Sequence, residues 1–184
     1  MPVMWWWVSA AIVVFLAAAY FTWLGSRVDR LHRRAATASA ALDAALVRRA
    51  AAAAVLAEEL APQQPVPAGD LYAAARAALD ATPADREIAE NDLTRALRRL
   101  PARMVAEEPV MTRWQAVVAA SRRVGLARQV HTDLVRDARA LRGRPLVRML
   151  RLARRHPEPA YFDIDDPSLV DPHQPAPVDQ SVGG

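Results

Sequence analysis

The sequence predicts an all-α protein: an N-terminal transmembrane helix followed by an antiparallel three- to four-helix bundle. Three observations carry this reading. Alanine, leucine and arginine, all strong helix formers, dominate a chain with only six glycines. Apolar residues recur at steps of three and four, the spacing of one helical face. Residues 1–26 carry no charged side chain, whereas Arg27 to Arg34 carry four arginines against one aspartate.

The first element is the apolar run from Val3 to Leu24. Its 22 residues make a helix of about 33 Å at 1.5 Å per residue, enough for a hydrocarbon core of about 30 Å. Apart from ring edges only Ser9 and Thr22 are polar, and both can bond back to the preceding turn. Trp5, Trp6 and Trp7 at one end and Tyr20, Phe21 and Trp23 at the other suit the headgroup level. Arg27, Arg30, Arg33 and Arg34 follow directly, so the positive-inside rule places the N-terminus outside and the remainder in the cytoplasm. The expected location is the bacterial inner (cytoplasmic) membrane, crossed once. A cleaved signal peptide is the competing reading, because Ala17-Ala18-Ala19 is a small-x-small site. Against it stand the lack of a basic n-region and the apolar continuation through Leu24.

Past the anchor the helix is expected to continue from Arg27 to about Ala61. Val28, Leu31, Ala35, Ala38, Leu42, Leu46, Ala53, Leu56 and Leu60 form one stripe with a single gap of seven. Pro62, Pro65 and Pro67 should end it, and Asp70 is the expected N-cap of a short helix to about Ala81. Thr82-Pro83-Ala84-Asp85 has the order of a restart, threonine cap then proline, ahead of the stripe Ala89, Leu93, Leu97, Leu100, Met104. Pro101 and Pro109 break the chain again. A long helix from about Met111 to Arg142 follows, striped by Val117, Ala120, Val124, Ala127, His131, Leu134, Ala138 and Leu141, with Gly143 and Pro145 as stops. A last helix over Pro145 to Arg155 is expected. Tyr161, Phe162 and Ile164 are candidates for local docking, and Pro167 to Gly184 is expected to be disordered. The divisions are therefore 1–26 anchor, 27–156 bundle and 157–184 acidic, proline-rich tail.

Four segments together resemble LemA-family proteins. Leu42-Asp43-Ala44-Ala45-Leu46-Val47-Arg48-Arg49 is similar to the family's Ile-Asp-Val-Gln-Leu-Lys-Arg-Arg. Ala89-Glu90-Asn91-Asp92-Leu93-Thr94-Arg95-Ala96-Leu97 is similar to its Ala-Glu-Asn-x-Leu-Ser-x-Ala-Leu. Arg123, Ala127, Arg128 and Val135 match its Asn-Arg-Ile-x-x-Ala-Arg-x-x-Tyr-Asn-x-x-Val stretch, and Tyr161-Phe162-Asp163 falls where members carry an aromatic pair and an acid. The family's Ile-Pro-Asn-Leu becomes Ala53-Ala54-Val55-Leu56, and its Tyr-Asn pairs become His131-Thr132 and Ala138-Arg139. All 24 basic side chains are arginine, which fits a high-GC genome and a divergent, actinobacterial branch. The resemblance implies a membrane-anchored cytoplasmic helical bundle with no established enzymatic activity, and it supplies no catalytic residues to carry over.

The residues themselves offer little chemistry. There is no cysteine, no Gly-rich phosphate loop, no paired-histidine zinc motif and no nucleophile elbow, so neither an enzyme nor a cofactor is expected. His131 reads as a packed histidine more than a pH sensor. Asp133 and Asp137 read as a solvated or salt-bridged face more than a cation site, and Glu87, Glu90 and Asn91 as surface. The sharpest remaining signal is basic. Residues 139–155 hold seven arginines and no acid, and Arg144, Arg148, Arg151 and Arg155 share one helical face. Such a face can pair with the acidic tail, or lie on anionic lipid at about 1 kcal/mol per arginine. Nucleic acid is disfavoured, because aromatic interleaving is lacking and the anchor confines the chain. The expected partners are the bilayer and an unidentified protein, with homo-oligomerisation left open. The leading expectation is a non-catalytic scaffold or adaptor; the alternative is a regulatory module that binds anionic lipid through residues 139–155.

Overall fold

The computed structural model describes residues 2–142, 162 and 164–169, and every regular element among them is helical. The elements are α1 (Pro2–Leu60), α2 (Pro65–Asp80), α3 (Arg86–Arg98), a 3-10 turn at Ala102–Met104, and α4 (Val110–Arg142). The expected helix over Pro145 to Arg155 lies outside the described residues.

The apolar stretch and the helix beyond it are one element, since α1 runs without interruption from Pro2 to Leu60. Nothing in residues 25–60 breaks it: there is no proline and only one glycine, Gly25. Thr22 donates to the Ala18 carbonyl at 2.9 Å and Ser26 to the Trp23 carbonyl at 2.8 Å, so both hydroxyls fold back onto the helix. The helix ends where the prolines begin. Ala61 N–H reaches Ala57 O at 3.0 Å and Gln64 N–H reaches Leu60 O at 2.9 Å, satisfying the last carbonyls.

Two boundaries depart from the sequence reading. The first is that of α2, which starts at Pro65, five residues before Asp70, the expected cap. Pro65 and Pro67 fall in its first turn, where a backbone N–H would have no helical acceptor, so the prolines open this helix. At the second, α3 starts at Arg86, with Asp85 as its cap residue. Thr82 Oγ1 donates to the Asp85 carboxylate at 2.7 Å, so its hydroxyl holds a turn and caps no backbone group. The expected start of the last long helix at about Met111 agrees with the observed Val110.

By their contacts the residues divide into two units. One contains the described residues of Met1–Ala40 and of Val130–Tyr161. Within it Trp5 to Trp23 are largely exposed, whereas Leu24, Ala35, Ala38, His131, Val135 and Ala138 are buried. On α4 the inward position is Val135, with the expected Leu134 only half-buried.

The other unit contains Ala41–Gln129 and the described residues of Phe162–Gly184. Its main core joins four helices through Ala53, Leu56 and Leu60 of α1, Leu71 and Ala75 of α2, Leu93 and Leu97 of α3, and Trp114 and Val117 of α4. A smaller cluster holds Leu42, Ala45, Leu46, Val124 and Ile164. Packing reaches past Ile164, where it is expected to stop. Pro167 and Leu169 are buried, and Leu169 belongs to the main core.

Candidate functional site

The gap of seven in the α1 stripe is where the chemistry lies. Three and four residues beyond Leu46 stand Arg49 and Ala50, and both are fully buried. Helical spacing thus continues through the gap, but with a guanidinium at one position. The partner comes from α3, where Glu90 is buried one turn before Thr94. Arg49 Nη1 lies 3.3 Å from Glu90 Oε2, and Arg49 Nη2 donates to Thr94 Oγ1 at 2.7 Å. The Thr94 hydroxyl in turn donates to the Glu90 carbonyl at 2.8 Å, which fixes its lone pairs toward Arg49. The expectation that Glu90 is a surface group is therefore corrected. Helical phase places it with Ala89, Leu93 and Leu97 on the inward side, and only a buried cation opposite makes that position tolerable.

The pair occupies a polar layer between the two apolar clusters. On α1, Arg49 stands between Leu46 of the smaller cluster and Ala50 of the larger one. On α4, Ser121 stands between Val118 of the larger and Val124 of the smaller, and it is also fully buried. Within the layer, Arg49 Nε, Glu90 Oε1 and Ser121 Oγ are buried without a hydrogen-bond partner.

Burial dominates the electrostatics. It pushes the Glu90 carboxyl up to about 7, with Arg49 and then Arg86 pulling the other way. It lowers Arg49 from the usual guanidinium value, with Glu90 opposing and Arg98 adding to the shift. Both partners move toward neutrality, as desolvation of a charged pair requires. Arg86, four residues before Glu90, donates to the Ala81 carbonyl at 3.2 Å. Asn91, also expected on the surface, accepts the Asp165 N–H at 2.8 Å and is half-buried.

The membrane-interface candidates are exposed on α1. Trp5, Trp6 and Trp7 are at least 70% exposed, and Tyr20, Trp23, Arg27 and Arg30 are exposed as well. The Arg27 guanidinium sits over the Trp23 ring, 5.5 Å from its centroid. Arg144, Arg148, Arg151 and Arg155 lie outside the described residues. His131 is buried on α4, and Asp133 pairs with Arg136 at 3.4 Å on an exposed face.

One groove of about 500 Å³ separates α2 from α3, lined in part by Asp70, Leu71, Asp92, Arg95 and Arg99. Arg95 is already bound to Asp92. Among the described residues no group of three or more histidine, aspartate or glutamate side chains could hold a metal ion. Compared with family models, with curated proteins and with solved structures, the chain has no match.

Proposed function

We propose that this chain is a membrane-anchored, non-catalytic adaptor of LemA-like type. In this reading α1 crosses the inner membrane once, and the helices form an antiparallel bundle on the cytoplasmic side that holds a protein partner beside the lipid. One observation carries the proposal. Only 6% of the most apolar window of α1 is buried, so the run is not the core helix of a folded body. An apolar helix exposed on all sides matches lipid better than water. The same helix then supplies Leu42 to Leu60 to a packed core.

Alkaline carbonate extraction followed by intact mass measurement tests the proposal. The expected result is a chain that stays in the membrane pellet, dissolves only with detergent and retains residues 1–26. Release by carbonate, or a mature chain starting near Tyr20, would contradict it and favour the cleaved-signal reading.

The alternative, a regulatory module for anionic lipid, is favoured by the acid-free run of seven arginines in residues 139–155. Tethering by α1 masks weak lipid binding, so a chain beginning at Arg27 suits this test. Salt-sensitive binding to vesicles containing anionic lipid, lost in Arg148→Ala with Arg151→Ala, is the outcome that reading requires.

A further inference from the structure

Residues 164–169 form neither helix nor strand, yet Ile164, Pro167 and Leu169 are buried. Backbone in such a run needs partners that no ladder supplies, and α3 provides them through side chains. Asn91 Oδ1 accepts the Asp165 N–H at 2.8 Å, and Arg98 Nη2 donates to the Asp166 carbonyl at 2.6 Å. Apolar pockets hold the buried side chains on either side of the exposed Asp165 and Asp166. Ile164 joins Leu42, Leu46 and Val124, with Phe162 against the same cluster, and Leu169 enters the main core. Pro167 lies over α4, its Cγ 3.9 Å from where a Cβ on Gly125 would stand.

Charge matches as well. The Asp166 carboxyl is held below its usual range by hydrogen bonds from the Ser168 hydroxyl and amide, and then by Arg98 and Arg128. The groove thus reads main chain with polar side chains, apolar anchors with pockets, and acid with arginine. Peptide recognition combines main-chain hydrogen bonds with side-chain pockets in this way. Its walls belong to α1, α3 and α4, whose backbone hydrogen bonds are internal to each helix, so the segment can leave without undoing them.

We infer that this groove is an exchangeable peptide site, filled in cis by Phe162 and residues 164–169. Its ligand class is a protein segment without regular structure, with two apolar anchors five residues apart and an Asp-Asp-Pro centre, turned at Asp166 and Ser168, between them. The inference deepens the adaptor reading and rests on it, since it names the chemistry by which a partner would be held.

The test uses the full chain in detergent micelles, with Ile164→Asp and Leu169→Asp to empty the groove. The probe is a fluorescent synthetic peptide of sequence Phe-Asp-Ile-Asp-Asp-Pro-Ser-Leu. Saturable binding to the emptied variant is expected, with weaker binding to the wild-type chain, whose open fraction is small. Adding Asn91→Ala and Arg98→Ala should weaken it by about tenfold or more. Should the emptied variant lose helicity, the peptide is expected to restore it. An emptied variant that neither binds the peptide nor regains helicity with it overturns the inference, as does equal binding of a scrambled peptide. Carbonate extraction of the same variant reports the anchor separately, so loss of peptide binding with retained insertion sinks this inference and leaves the adaptor reading standing.

Discussion

At the scale of single residues, Arg49 and Glu90 are the least interchangeable positions. Breaking a buried ion pair from one side costs about 3–5 kcal/mol, because the other charge is stranded, whereas replacing both partners by apolar groups is often neutral or better. Glu90→Ala is therefore expected to destabilise the chain by about that amount, and Arg49→Met with Glu90→Leu to restore most of it in denaturant melts. Equal losses in the single and double variants would mean that the pair contributes net stability. The pH dependence has a definite sign. The Glu90 carboxyl is raised in the folded chain, from 4.5 to about 7. Its contribution is thus full below pH 4.5 and is lost as pH rises through about 7. Glu90→Gln, which imitates the protonated acid, should lack this decline, so its stability relative to the wild-type chain should rise between pH 5 and pH 8. A stability difference that moves in favour of the wild-type chain over that interval would contradict the assignment. None of this chemistry was legible from composition. The sequence shows a gap of seven in an alanine-rich stripe, and an arginine at an inward position reads as surface until a partner is known. Glu90 likewise shares its helical phase with Leu93 and Leu97, and that phase was the one available signal.

Elements were far more legible, and their failures have a common cause. Spacing of threes and fours located α1, α3 and α4 because each buries one face, as with Leu93 and Leu97, both fully buried. The ends depended on proline and threonine, whose roles change with one residue of register. Pro65 and Pro67 were read as breakers, yet in the first turn of α2 they remove N–H groups that had no acceptor. Thr82 was read as a cap, yet its hydroxyl goes to Asp85. Prolines that open a helix should matter less than the leucines that hold it. Pro65→Ala is expected to change stability by less than about 1 kcal/mol, and Leu97→Ala to cost about 2–5 kcal/mol. A larger loss for the proline than for the leucine in thermal melts would show that the Pro62 to Pro67 turn, and not the core, sets the position of α2. On α4 the inward residue is Val135 and not Leu134, a shift of one that follows when a seam is extended over many turns.

At the scale of the whole molecule, the account joins an exposed apolar helix to a packed helical core through an unbroken α1. Length and hydropathy made the first half of that statement visible from the sequence, since a 22-residue, mostly apolar run followed by four arginines leaves few readings. Docking was expected at Ile164, but its continuation through residues 165–169 was not visible, because the run has no period and its partners, Asn91 and Arg98, lie over 60 residues away. Orientation is the claim on which the adaptor proposal depends most. The chain has no cysteine, so one introduced at an exposed loop position, Ala84→Cys, is a clean reporter. Labelling with a membrane-impermeant maleimide in intact cells and after permeabilisation is the most direct measurement. The account predicts a membrane-bound chain that reacts only after permeabilisation. Reaction in intact cells, or recovery of the chain in the soluble fraction, would contradict it.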